Sequence, residues 1–335
     1  MPQASCAMLL FDGLTTETLI LLIAALAIDA YAGGLRWPAP LSAMHPGKLA
    51  ERAARWFDDR LNRAERSPLS LRLRGTLVLL VLLAIALAVG GSVQLLARVH
   101  GLGWAIALML MVMLVALRQP YDRIERVRRT LQSDSLDAAR QSIDSLTDRD
   151  IYKLDDHSIA RLAVEAAGER FVLGVAAPVL WTILFGLPGL LAQAVLLRAA
   201  ATLRRPDRDL YGKGLALAAR LLIAPASWMA GVILCIAAIA VPTAKPMAGL
   251  SMMLRDGGKG SLPHARALAA LAGALDFSLG GPRLYAQRSI EDAWIGSGRA
   301  RLLPDDIRRT LMLYAIACVV TAGLIAVVII ATLRS

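Results

Sequence analysis

Residues 148–197 read DRDIYKLDDHSIARLAVEAAGERFVLGVAAPVLWTILFGLPGLLAQAVLL, and this stretch decides the class of fold. Its first part mixes acids and bases: Asp148-Arg149-Asp150, then Asp155-Asp156, Arg161, Glu165 and Glu169. Its second part, Phe171 to Leu197, carries no ionisable residue. A run of that length is close to the roughly 20 residues needed to cross a hydrocarbon core. Ionisable groups at the edge of such a run are expensive to desolvate, so they mark a place where polar chemistry happens at the membrane.

Similar apolar runs lie on either side: Leu14 to Tyr31, Thr76 to Ala97, Gly101 to Leu117, Leu221 to Val241 and Leu311 to Leu333. The hydrophobic fraction of 57% and mean hydropathy of +0.56 exceed what a soluble domain carries, and the excess is gathered into these runs. An all-α integral membrane protein is expected, a polytopic helical bundle over residues 1–335 with cytoplasmic loops and room for re-entrant segments. Glu17 and Asp29 interrupt the first run, which has no Lys or Arg before it. It reads as an anchor rather than a removable signal.

A net charge of +11 could suggest nucleic acid. Nearly all Lys and Arg fall between the apolar runs, however, with nine in residues 32–75, ten in 118–170, six in 198–220 and ten in 242–310. The positive-inside rule accounts for them without a nucleic-acid partner and places the major loops in the cytoplasm. Residues 198–220 conflict with two plain spans over 171–241, because their six cations would then lie outside. Breaks at Pro178, Gly186-Leu187-Pro188-Gly189 and Pro225 allow re-entrant segments instead, which survive where protein or a polar cavity covers them. Both readings stay open on sequence.

Cys6, Cys235 and Cys318 have no ligand spacing, and His45, His100, His157 and His264 are scattered. No phosphate loop, zincin or serine-hydrolase motif is present. Ser133 to Leu146 reads as a short amphipathic helix with Leu136, Ala139, Ile143 and Leu146 on one face and Ser133 or Ser135 as N-cap. A second helix begins near Asp155, where Arg161, Glu165 and Glu169 recur every four residues. An ion-pair ladder and a polar face lining a site both fit that spacing. Asp148, Asp150 and Asp155 could hold Mg²⁺ through carboxylate oxygens, or form a solvated acidic turn. Arg255-Asp256-Gly257-Gly258-Lys259-Gly260-Ser261 offers cations and flexible backbone to phosphate oxygens. Leu279-Gly280-Gly281-Pro282 is a turn, with Tyr285 and Trp294 as apolar anchors or a stacking surface.

In order and separation these motifs resemble the CobD/CbiB family, the membrane adenosylcobinamide-phosphate synthases of cobalamin biosynthesis. The resemblance covers nearly the whole chain. It rests on Asp29, Trp37-Pro38 and His45-Pro46; on Ala139-Arg140, Arg149-Asp150, Leu154-Asp155, Arg161 and Glu165; on Gly174-Val175-Ala176-Ala177-Pro178, Trp181 and Gly186-Leu187-Pro188-Gly189; and on Arg255-Asp256, Ser261, Ala272-Gly273-Ala274-Leu275, Leu279-Gly280-Gly281-Pro282, Tyr285 and Ile295-Gly296. Departures stand beside it. Glu169-Arg170-Phe171-Val172-Leu173-Gly174 replaces the family's Glu-Asn-x-x-Asp-Gly, Gly33-Gly34-Leu35 its Gly-Asp-Pro, Thr202-Leu203-Arg204 its Thr-Leu-Asp, Leu221-Leu222 its Asp-Asp, and Ser261-Leu262-Pro263 its Ser-Pro-Asn.

The resemblance implies ATP-dependent amide formation between the corrinoid adenosylcobyric acid and aminopropanol or its phosphate, with ATP and Mg²⁺ as cofactors. The roles expected are metal binding for Asp148, Asp150 and Asp155, phosphate or substrate binding for Arg149, Arg255, Asp256, Lys259, Ser261, Gly280 and Gly281, and deprotonation of the amine by Glu165 or Glu169. The lost amide and acidic residues leave an alternative, a non-catalytic membrane regulator or assembly partner of the same superfamily, working with other cobalamin-assembly membrane proteins. The Pro- and Gly-broken segments alone would also fit a transporter.

Overall fold

The computed structural model describes residues 15–33, 44–62, 67–133, 135–147, 150–203, 209–259, 261–284 and 289–334. Two compact units emerge, one from Met1–Val115, Ala177–Leu222 and Val327–Ser335, the other from Ala116–Ala176 and Ile223–Ala326. Five described helical stretches have the length and composition to cross a membrane: Leu69–Val99, Gly101–Gln132, Asp156–Thr202, Tyr211–Ala240 and Pro304–Arg334. The chain is therefore an all-α, multi-pass membrane protein. The first expected run forms helix α1, Thr16–Ala32, whose 17 residues fall short of the others.

The first unit also holds α2 (Pro46–Leu61), α3 (Pro68–Val99) and α4 (Gly101–Leu114). Large apolar side chains on α3 such as Leu73, Leu77, Leu80, Ile85 and Val89 are exposed, as a lipid-facing stripe requires. Its opposite face buries Val78 and Leu82 with Ala54, Ala199, Leu203, Tyr211 and Leu215. His45 caps α2: its Nδ1 accepts from Gly47 N–H at 3.0 Å, while Nε2 lies 2.9 Å from the Met113 carbonyl. One nitrogen accepting and the other facing a carbonyl describes a neutral ring with its proton on Nε2.

The long run after Phe171 is not a straight span. Helix α8, Ala177–Thr202, breaks at Gly186, whose φ of 64° and ψ of −152° belong to a region essentially reserved for glycine. The backbone of Gly189 then lies against the Trp181 carbonyl oxygen and the Phe185 Cβ. In a continuous helix residues eight apart are separated by roughly 12 Å along the axis, so the chain has turned back on itself. The run therefore carries a sharp break within the Gly186-Leu187-Pro188-Gly189 segment. Gln94 of α3 reaches the break, where its Oε1 accepts the Leu187 N–H at 3.0 Å. A backbone donor freed inside an apolar environment is thereby satisfied. Further on, Pro225 leaves the Leu221 carbonyl of helix α9, Asp209–Ala237, without its helical donor, and the neighbouring Leu222 carbonyl accepts from Trp181 Nε1 at 3.1 Å.

The second unit contains α5 (Arg118–Gln132), α6 (Leu136–Asp144) and α7 (Asp156–Phe171). Ser135 is the N-cap of α6, and Ala139, Ile143 and Leu146 are buried as the amphipathic pattern predicts. A π-turn, Val172–Ala176, follows α7, and its Gly174 carbonyl accepts from Ala116 N–H at 3.0 Å. Helices α10 (Pro246–Asp256) and α11 (Ala265–Leu275) form a close pair, with every residue of α11 except Arg266 buried. Small residues make this possible, since Gly249 and Gly273 bring one backbone against the other. Four two-residue strands follow: β1 (Leu279–Gly280), β2 (Arg283–Leu284), β3 (Ser289–Ile290) and β4 (Trp294–Ile295). Strand β1 pairs antiparallel with β4, and β2 with β3. Helix α12, Pro304–Arg334, ends the chain, with Val319, Leu324, Val327 and Ile330 among its exposed residues.

Candidate functional site

The site is built on the β1–β4 ladder of the second unit. Helix α7 supplies the first wall. Asp155 fixes its start by accepting the Ser158 N–H at 3.0 Å. Ten residues on, Glu165 is buried at 6% exposure, and its Oε1 accepts the Gly280 N–H at 2.8 Å. Glu165 thus reaches across to β1, and among the described residues no ion pair joins it to Arg161. The ladder reading of this stripe does not hold for that pair.

Gly280 and Gly281 have φ of 79° and 74°, left-handed backbone that glycine adopts without steric cost. Gly281 also lies flat against the Trp294 ring, where a Cβ would stand 2.5 Å from Cε2. Trp294 is half-exposed, and the Arg161 guanidinium sits over its ring, 5.1 Å from the centroid. Arg161 Nε is buried without a hydrogen-bond partner among the described residues. An indole holding a cation on its face and a donor with nothing to donate to make this edge of the ladder receptive to a polar, planar ligand.

The second wall comes from the end of α10. The Asp256 side chain is 2% exposed and gathers Lys259 Nζ at 2.7 Å and Arg255 Nε at 2.9 Å. It also accepts Gly296 N–H at 3.1 Å, which ties α10 to the residue after β4. The Arg255 bond holds the Asp256 carboxyl well below the usual carboxylate range, with Lys259 and the Gly296 N–H adding to it against the opposing effect of burial. The same contact raises Arg255 further. Beyond the loop, Ser261 donates from its N–H at 3.0 Å and from Oγ at 2.9 Å to the Asp292 carboxylate, two residues before Trp294. On the far side Asp306 at the start of α12 accepts Arg299 Nη2 at 2.8 Å and Leu303 N–H at 2.9 Å, an acid at the third helical position closing its own N-terminus.

Glu165, Arg255, Asp256, Lys259, Ser261, Gly280 and Gly281 therefore meet on one short segment, residues 279–296. The other predicted residues lie apart from it or outside the described chain. Asp155 is spent as a helix cap, roughly 15 Å along the axis from Glu165. Asp150 caps the three-residue turn Ile151–Lys153 by accepting Tyr152 N–H at 3.2 Å. Glu169 is half-buried one turn beyond Glu165. Asp148, Arg149 and Tyr285 fall outside the described residues. Among the described residues, no group of three or more His, Cys, Asp or Glu is placed to hold a metal ion. Two participants escaped sequence reasoning. Asp292 carries no local signal, whereas Asp306 could have been found from Pro304-Asp305-Asp306, a helix-start pattern.

Known proteins are similar to this chain over most of its length. The model of the family described as "CobD/Cbib protein" matches residues 22–314. The "Cobalamin biosynthesis protein CobD" of Sinorhizobium sp is 32% identical over 92% of this chain and 98% of its own length. The protein of that name from Sinorhizobium fredii is 32% identical over 94% and 98%, and that of Rhizobium meliloti 30% identical over 91% and 95%. No solved structure matches the chain.

Proposed function

Because the chain belongs to the CobD/CbiB family, we propose that it works in cobalamin biosynthesis as a membrane synthase that joins an amine to a corrinoid carboxylate. The substrates would be adenosylcobyric acid and aminopropanol or its phosphate, and the product adenosylcobinamide or its phosphate. ATP, carried with Mg²⁺, would supply the leaving group that makes the carboxylate open to attack. The observation that supports this most is the convergence of Glu165, Gly280, Gly281 and the Asp256 cluster on a single ladder.

Within that reading each residue has a task. Glu165 receives the proton that the incoming ammonium loses as its nitrogen attacks, and the Gly280 N–H holds the carboxylate in place for it. Arg161 and Trp294 present a flat cationic surface to the corrinoid's polar edge. Asp256 keeps Arg255 and Lys259 fixed, and the pair with it carries one net positive charge toward phosphate oxygens. The loops that build the site would face the cytoplasm, where the nucleotide is.

A second reading has its own support. Arg255 and Lys259 are both engaged by Asp256, and Asp155 caps a helix, so residues assigned to phosphate and metal also hold the fold. A non-catalytic regulator or assembly partner would keep those contacts and lack turnover. Complementation of a strain deprived of its own synthase, with cobinamide as the bypass control, separates the two. Growth on the precursor supports the synthase. Failure, with normal membrane abundance and growth on cobinamide, favours the non-catalytic role.

A further inference from the structure

Away from the ladder, the second unit has a cavity of about 660 Å³ lined by Tyr121, Glu125, Val241, Pro242, Thr243, Asp305 and the first turns of α12 from Arg308 to Ile316. That volume is in the range of small-molecule sites. Its position is informative. Val241 follows the membrane stretch Tyr211–Ala240, and Arg308 stands one turn before the apolar part of Pro304–Arg334. By length and composition both helices would leave the hydrocarbon core here, which would set the cavity at the level of the lipid headgroups.

Its two ends differ in chemistry. Leu311, Met312, Ala315 and Ile316 make an apolar wall that continues down α12, with Met312 and Ala315 exposed. The upper end is cationic. Arg308 is exposed and has no hydrogen-bond or ion-pair partner among the described residues. Arg309 is set by Thr243, whose Oγ1 accepts Nη2 at 2.8 Å, and by the ring of Phe277 at 5.9 Å, while its buried Nε lacks a partner. Thr243 holds this position at φ 66°, unusual for a β-branched residue and costing about 1–3 kcal/mol in such cases.

The acids around the cavity are already matched. Glu125 accepts from Arg128 at 2.7 Å and Arg129 at 2.9 Å. Asp305 is within electrostatic reach of Arg128, and Asp306 binds Arg299 at 2.8 Å and lies 3.8 Å from Arg309. Of the residues that line the cavity, Arg308 and Arg309 stand against Glu125 and Asp305, and Glu125 is already held by Arg128 and Arg129 from outside the lining, which leaves the two arginines available to meet an anion.

We propose that this cavity binds the phosphate headgroup of an anionic phospholipid, with Arg308 and Arg309 on the phosphate oxygens and the acyl chains along Leu311, Met312 and Ala315. The lining of this cavity includes no residue of the β1–β4 ladder, and the proposal does not depend on the catalytic reading. A soluble phosphate ester shares the headgroup chemistry, but it would leave the apolar wall uncovered.

The test uses the full chain in neutral detergent, titrated with phosphatidylglycerol, phosphatidylcholine or glycerol 3-phosphate while thermal unfolding is followed. A saturable rise in Tm is expected with phosphatidylglycerol alone. Arg308→Gln, at an exposed position, should keep the lipid-free Tm and weaken half-saturation roughly tenfold, the loss of one charge-assisted contact. Ala315→Trp, which fills the apolar wall, should abolish the rise. An equal response to phosphatidylcholine, the same shift with glycerol 3-phosphate alone, or a wild-type response from Arg308→Gln would each overturn the proposal.

Discussion

Replacing Glu165 by glutamine separates a chemical role from a structural one at a single position. The carboxylate is buried at 6% exposure and accepts the Gly280 N–H at 2.8 Å. Glutamine is nearly the same shape and keeps an oxygen for that donor. A hydrogen bond to a charged group contributes about 1.5–3 kcal/mol and one between neutral groups about 0.5–1.5, so Glu165→Gln should cost about 1 kcal/mol. Glu165→Ala is harsher, because it strands a buried N–H for about 1–3 kcal/mol and leaves a void besides. If the carboxylate takes a proton from the amine, the glutamine variant should lose synthase activity by two orders of magnitude or more at near-normal stability. Membrane abundance, Tm in detergent and growth in the complementation strain are the three readouts. A glutamine variant that grows as well as wild type, beside an alanine variant that fails only through low abundance, would reduce Glu165 to a prop for Gly280.

Three further outcomes are expected. Gly186→Ala forces a Cβ into a glycine-only conformation and against the Gln94 Oε1 that satisfies Leu187, so it should destabilise by about 2–5 kcal/mol in thermal unfolding; an unchanged Tm would mean that the chain does not turn there. Cysteines at positions 145 and 285 should be protected from an outside reagent and position 100 reachable, while position 208 should label from the cytoplasm as the six cations of residues 198–220 favour; 145 and 285 on opposite sides would contradict the bond between Glu165 and Gly280. Burial of His45 first, and then Arg198 and Lys48, lowers its pKa below 6.5 despite the Met113 carbonyl. Its contribution to stability is therefore complete above pH 6.5 and is lost as pH falls from there through the folded value, a slope that His45→Asn, still able to cap, should flatten in Tm measured from pH 8 to pH 5.

Some of this was readable in one dimension. Apolar runs of membrane length and cations confined between them determine a helical membrane class, because the bilayer imposes its thickness and its charge asymmetry on the chain directly. Local caps are legible for a similar reason. Ser135 and Asp155 act on N–H groups three residues away, so spacing alone finds them. The period of four in Arg161, Glu165 and Glu169 set one helix face, yet it could not say what that face meets.

Tertiary structure decided the rest. Pro188 and the glycines beside it permitted a break, and the fold holds it with Gln94, from a helix more than ninety positions earlier, whose side chain satisfies Leu187. Glu165 found its partner 115 residues downstream. Arg255 and Lys259 looked like a cradle for an external anion in their Gly-rich loop, and both turn onto Asp256. Helical period and hydropathy are properties of neighbours along the chain, whereas the partner of a buried charge is chosen by desolvation, which counts every group brought near it in space. Only the folded chain specifies that set.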